Sequence, residues 1–174
     1  RSQPVIFNGD NYSCEWPVEA EKRGLPNLKD TVDALATFTD KKFVKAFEKH
    51  KILSEREIHA RQEILLENYT TSLAIEAQLT VEIGRTMILP AAMEYQCRLA
   101  RAINDVASAT GGEIDTTAQS DLLRQVTKLI GALQRNLNAL EDVRHQVEAK
   151  DVKPLKMAEM FRDQVLPLMN ECRI

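Results

Sequence analysis

Two spacings in this sequence are of the kind that can hold a metal ion. His59 and Glu63 stand four residues apart, so on a helix both side chains leave one face. Asp142 and His145 show the carboxylate-x-x-His spacing used in di-metal helical bundles, with Glu141 and Glu148 close by. Each falls short of a site. Two ligands on one exposed face normally form a charge pair, and a di-metal bundle needs its element twice, with further carboxylates from facing helices. No second copy is present, so Glu141 and Glu148 are expected to form a solvated face around His145. There is no glycine-rich phosphate loop, no Cys-x-x-Cys and no Ser/His/Asp or Cys/His constellation. Cys14, Cys97 and Cys172 are far apart and odd in number, which points to reduced thiols in a cytoplasmic protein. The expected catalytic, cofactor-binding and metal residues are therefore none.

The composition says what kind of body carries these residues. Of 174 residues, 44% are hydrophobic and 28% charged, with six Gly, six Pro and few aromatics. That suits a helical domain with a real core. A net charge of −3 gives no field favouring nucleic acid or an anionic membrane, so neither is expected as a partner. No apolar run approaches the roughly 20 residues that span a bilayer, and no secretory leader is visible. Asn11-Tyr-Ser13 and Asn68-Tyr-Thr70 match glycosylation sequons, which mean nothing in the cytoplasm.

Capping signals set out the elements. Ser13 is expected to cap a first helix that ends at Gly24, with Pro17 in or near its first turn. Asp30 or Thr31 caps a short helix carrying Val32, Leu35 and Ala36. Another begins near Asp40, with Phe43 and Phe47 stacked at i, i+4. Ser54-Glu55-Arg56-Glu57 is a capping box, and no stop follows until Gly111-Gly112. Ile58, Leu65, Leu66, Tyr69, Leu73, Ile83 and Met87 form the apolar stripe of that long helix, which Pro90 should kink. If continuous it spans roughly 80 Å. A second long helix starts near Asp115 or Thr116. Its expected heptad seam is Leu122, Val126, Leu129, Leu133, Leu140, Val143 and Val147. Asn136 falls on that seam, either at a solvated edge or as a register-setting contact. Pro154 opens a last helix, bent by Pro167, whose Met157, Met160, Phe161, Val165, Leu168 and Met169 fill gaps in a core. The fold class is all-α: a long antiparallel helical hairpin or bundle with short N-terminal helices and a C-terminal return helix. Taken alone, this is a helical interaction module expected to self-associate, with a free-standing coiled-coil adaptor as the alternative reading.

Several long strings carry a resemblance. "IFNGDNYSCEWPVEAEKRGLPNLKDTVDAL" (Ile6 to Leu35), "FEKHKILSEREIHARQEILLENY" (Phe47 to Tyr69), "ILPAAMEY" (Ile88 to Tyr95) and "FRDQVLPLMNECR" (Phe161 to Arg173) resemble the C-terminal part of type III glutamine synthetases. Over residues 96–150 only the helical pattern carries over, and Cys14 and Pro17 depart from the family pattern. The segment "LPNLKDTVDAL" followed by "FVKAF" is similar to the close of the catalytic domain in glutamine synthetases generally. The resemblance implies that residues 1–53 are the tail of the catalytic module and residues 54–174 a type III-specific helical bundle. It implies a parent that makes glutamine from glutamate and ammonia with ATP and a divalent ion, Mg2+ or Mn2+. That parent resembles a dodecamer of two stacked hexameric rings. The family's metal carboxylates, substrate arginines and nucleotide contacts would lie upstream of Arg1, so no cofactor is expected in this chain. The expected partners are further copies of the chain and the remainder of the catalytic domain.

Overall fold

The structure, a computed structural model, describes residues 3–173. All regular structure among them is helical, as the capping signals and periodicity require. The chain divides into two compact units, Arg1–Leu65 and Leu66–Ile174.

The first unit holds three short helices, α1 (Glu15–Lys22), α2 (Thr31–Ala36) and α3 (Lys41–Lys49), and the start of α4 (Glu55–Ile83). The segment before α1 is fastened to it. Phe7 stacks on Trp16 at 5.0 Å, and Arg23 lies over the same indole while donating to the carbonyls of Pro4 and Ile6. A side chain at Gly9 would strike the Phe7 ring, which explains a glycine there. Ser13 accepts from the Glu15 N–H, but the helix proper begins one residue later than expected, after Cys14. At the other end Gly24 adopts φ +73°, and the Leu25 N–H closes onto the Ala20 carbonyl. Asp30 caps α2 by accepting from the Asp33 N–H. Phe43 and Phe47 stack at 4.4 Å. The capping box forms: the Glu57 carboxylate accepts from the Ser54 N–H at 2.8 Å, and the Ser54 hydroxyl accepts from the Glu57 N–H at 3.4 Å. One turn on, the buried Gln62 donates to the Leu35 carbonyl and to Thr39 Oγ1, so its amide nitrogen is satisfied without water.

In the second unit α4 leads through a π turn (Gly84–Ile88) into α5 (Leu89–Thr110). Gly111 and Gly112, both at positive φ, reverse the chain, and the Gly112 N–H bonds the Ala107 carbonyl. Then α6 (Thr117–Glu148) returns along α5 and the first π turn. Asp115 caps it, accepting from the Thr117 N–H and hydroxyl. Gln96 bonds Thr127, and Arg85 bonds Asn138 and Glu141, so partners fall in number on one helix as they rise on the other. The hairpin is antiparallel. After Pro154 the chain forms α7 (Pro154–Met160), a second π turn (Phe161–Val165) and α8 (Leu166–Glu171). Leu73, Ala77 and Val81 from α4, Leu140 and Val147 from α6, and Met160, Phe161, Val165 and Met169 form one core. A smaller one joins Leu89, Ile130 and Leu137.

Two expectations are corrected. First, the α6 seam keeps Val126, Leu133, Leu140, Val143 and Val147 but takes Ile130 and Leu137 in place of Leu122 and Leu129. Ile130 and Leu137 are buried while Leu122 and Leu129 are exposed. Asn136 therefore sits beside the seam, half-buried, and its Nδ2 donates to the Glu171 carbonyl at the end of α8. Second, Leu65, Ile83 and Met87 face out; the buried line runs Ile58, Gln62, Leu66, Leu73, Ala77, Val81, Gly84. Gly84 lies on that line because Leu137 takes the space a Cβ would need, 2.7 Å from its two methyl carbons. Where Pro90 and Pro167 are expected to bend their helices, a π turn begins six residues upstream of each, at Gly84 and Phe161. The Leu89 N–H reaches back to the Gly84 carbonyl and the Leu166 N–H to the Phe161 carbonyl. The wider turn opens the helix just before a residue that has no N–H to give and whose ring crowds the preceding turn.

Candidate functional site

The residues with chemical potential do not converge. His59 and Glu63 are both exposed on α4. On α6 the acidic face is already engaged by cations. Glu141 accepts from Arg85 at 2.6 Å, and this hydrogen bond holds its carboxyl below the ordinary value. Glu148 takes both oxygens to Arg144, whose other amino group reaches His145 Nε2 at 2.8 Å. A guanidinium has no lone pair to offer, so that ring nitrogen accepts and is occupied. Arg144 continues the Ile130–Leu137 column of the seam, which explains why only a small part of its side chain meets solvent. Among the described residues, no three His, Cys, Asp or Glu side chains come together as a metal cluster. The donor set does not fit a divalent ion or a nucleotide phosphate, and no step is derived through either. The cysteines are free; burial and then Glu171 push the Cys172 thiol up, away from the reactive thiolate.

What the second unit does offer is an apolar groove of about 500 Å³. Leu79, Ile83 and Ile88 line it from α4 and the first π turn, Leu133 and Leu137 from α6, with Cys172 beyond them. Glu76 and Arg173 also line it. Ile75, Leu79 and Ile83 follow one another every fourth residue, each 45–54% exposed, so the open face of α4 continues the groove. Sequence reading missed this site because its parts come from three distant segments and obey no spacing. The single visible signal is the i, i+4 row of Ile75, Leu79 and Ile83, running beside the buried line rather than on it. Such a surface is shaped to bury apolar matter, with Glu76 and Arg173 as its charged groups.

No helix among the described residues is long and apolar enough to cross a membrane. A family model described as the glutamine synthetase C-terminal domain matches residues 1–107. The chain is 34% identical over 177 residues to the type-3 glutamine synthetase of Dictyostelium discoideum, covering 97% of this chain and 23% of that protein. It is 31% identical over 169 residues to a glutamine synthetase of Butyrivibrio fibrisolvens (97% and 24% covered). A glutamine synthetase of Bacteroides fragilis (strain YCH46) is 27% identical over 175 residues (99% and 24%). The chain thus spans about a quarter of the length of the curated relatives it matches.

Proposed function

Because the chain belongs to the glutamine synthetase C-terminal domain family, we propose that it is the non-catalytic C-terminal helical region of a type III glutamine synthetase and serves to assemble the particle. The parent enzyme ligates ammonia to glutamate with ATP and Mg2+ or Mn2+, in the cytoplasm, with all of its catalytic groups outside this chain. Residues 1–53 close the catalytic module, and residues 54–174 are the extension that meets other copies. Its partners are further subunits, in the manner of two stacked hexameric rings, and the remainder of the catalytic domain, with no part for nucleic acid or membrane. The observation that carries the reading is a match over 97% of this chain to about a quarter of the length of glutamine synthetases.

Two measurements test it. Calorimetric titration of the 174-residue chain with ATP and magnesium is expected to show no binding; micromolar affinity overturns the non-catalytic reading. The parent enzyme cut after the position of residue 53 is expected to form particles of fewer subunits, read as light-scattering mass divided by the mass of the shortened subunit. An unchanged number of subunits overturns the assembly role.

A further inference from the structure

The proposed assembly role leaves open which surface meets a second copy. The second unit has already covered most of its apolar side chains. The Met-rich return helix, which on sequence grounds needs cover, finds it within the unit against Leu73, Ala77, Val81, Leu140 and Val147. Met87, Met93, Tyr95, Ile114, Leu122 and Leu129 remain exposed, and so do the groove and the row beside it, where exposed side chains adjoin a concave floor. Leu79 and Ile83 belong to both, and Ile75 and Ile88 extend the open surface along the chain. Isolated exposed leucines need no explanation, but a continuous row joined to a concave apolar floor is an interface signature.

The groove's charges indicate what fills it. Glu76 enters from α4 and Arg173 from the turn after α8. Neither has an ion-pair partner among the described residues. One unpaired carboxylate and one unpaired guanidinium around one apolar floor make a self-complementary patch. A twofold axis brings residue i of one copy to residue j of the other and j to i, so the same pairing forms twice. The groove alone falls well short of the about 800 Å² per partner of a stable interface, and the row of Ile75, Leu79 and Ile83 lengthens it along the same helix.

We infer that the groove between α4, α6 and the end of α8 docks a second copy of this chain about a twofold axis, with Glu76 of each copy paired to Arg173 of the other. This rests on the assembly role proposed above and names the surface for it. The apolar row supplies the contact, and the two reciprocal ion pairs fix its orientation.

Sedimentation of the 174-residue chain tests it, with circular dichroism melts confirming that each variant remains helical. The native chain is expected to dimerise below ~100 µM. Glu76→Arg alone and Arg173→Glu alone each place like charges together twice and are expected to weaken the dimer by about tenfold or more. Glu76→Arg with Arg173→Glu restores opposite pairs and is expected to return it to within about threefold of the native value. Ile83→Ser, on an exposed position, is expected to weaken it while leaving the melting temperature of the dilute, monomeric chain unchanged. A native chain that stays monomeric above ~100 µM overturns the inference, as does a dimer indifferent to the single swaps or a double swap that fails to restore it. None of these outcomes touches the assignment to the enzyme's C-terminal region, which the truncated parent tests separately.

Discussion

Alanine at Gly84 and alanine at Gly131 are the same chemical change on two helices, and they are expected to move stability in opposite directions. A Cβ at Gly84 would lie 2.7 Å from both methyl carbons of Leu137 and 3.3 Å from its Cγ. Carbon atoms in contact prefer about 3.5–4.0 Å, so Leu137 or the helix must retreat by roughly 1 Å. Leu137 is 1% exposed and packed with Leu89 and Ile130, so the retreat disturbs a filled core. Overpacking of this kind costs about 1–3 kcal/mol, and better helix propensity returns at most about 1. The net expectation for Gly84→Ala is a loss of about 1–2 kcal/mol. At Gly131 the added carbon meets only Arg135 Nη1, at 3.4 Å, an ordinary contact with a flexible tip. Propensity then acts unopposed, and Gly131→Ala is expected to gain about 0.5–1 kcal/mol. Urea unfolding at constant m-value reads both. Truncating the obstacle adds a control: in a Leu137→Ala background, Gly84→Ala should cost much less than alone, a coupling of about 0.5 kcal/mol or more. If both glycine variants shift the midpoint the same way by similar amounts, the close approach of the first π turn to α6 is not what holds that site small.

The seam itself can be tested directly. Leu137→Ala is expected to cost about 2–5 kcal/mol, whereas Leu129→Ala, at a 49% exposed position, stays within about 0.5 kcal/mol of native; equal losses would return the seam to the other column. Gly112→Ala forces a Cβ onto φ +86° and is expected to lower the melting temperature of the hairpin, while Ala107→Ser, one turn earlier, leaves it nearly unchanged; the reverse ranking would remove the left-handed turn from the account. The Ser54 backbone N–H, then its hydroxyl, hold Glu57 below the ordinary carboxylate value, and Arg85 does so for Glu141. A carboxylate depressed in the folded state stabilises that state above its unfolded value of 4.5 and loses this as the pH falls through the folded value. The urea midpoint is therefore expected to drop on acidification below that value, and Glu57→Gln with Glu141→Gln should flatten the drop; an unchanged slope refutes the assignment.

Local chemistry was largely legible. Asp30, the Ser54–Glu57 box, Asp115 and the Gly111-Gly112 turn all act where their residue types place them. The heptad on α6 was legible in one column and ambiguous in the other, because Leu122 and Leu129 compete with Leu123, Ile130 and Leu137. A glycine some fifty residues upstream, Gly84, leaves the room that Leu137 fills. On α4 the buried line passes through Gln62, Ala77 and Gly84, which a count of large apolar residues does not register. Prolines mark where a helix needs relief, and before both Pro90 and Pro167 that relief is a π turn. Candidate ligands at helical spacing were visible, yet the cations that engage them were not: Arg85 meets Glu141 from 56 residues away.

The two-glycine turn also sets an order of events in time. Closing a loop costs about 0.6 kcal/mol more for each doubling of its length, so contacts nearest the turn are won first. Gln96 meets Thr127 across 31 residues and Arg85 meets Glu141 across 56, so the hairpin zips outward from Gly111-Gly112. The return helix finishes last, since it must reach back to Leu73, Ala77 and Val81 on the earliest-made part of the unit. During synthesis there is thus an interval in which the hairpin exists and the helix carrying Met160, Phe161, Val165 and Met169 does not. Leu140 and Val147 then lack the cover of Met160, Phe161, Val165 and Met169, and the unfinished core is the part of the chain most exposed to misassociation.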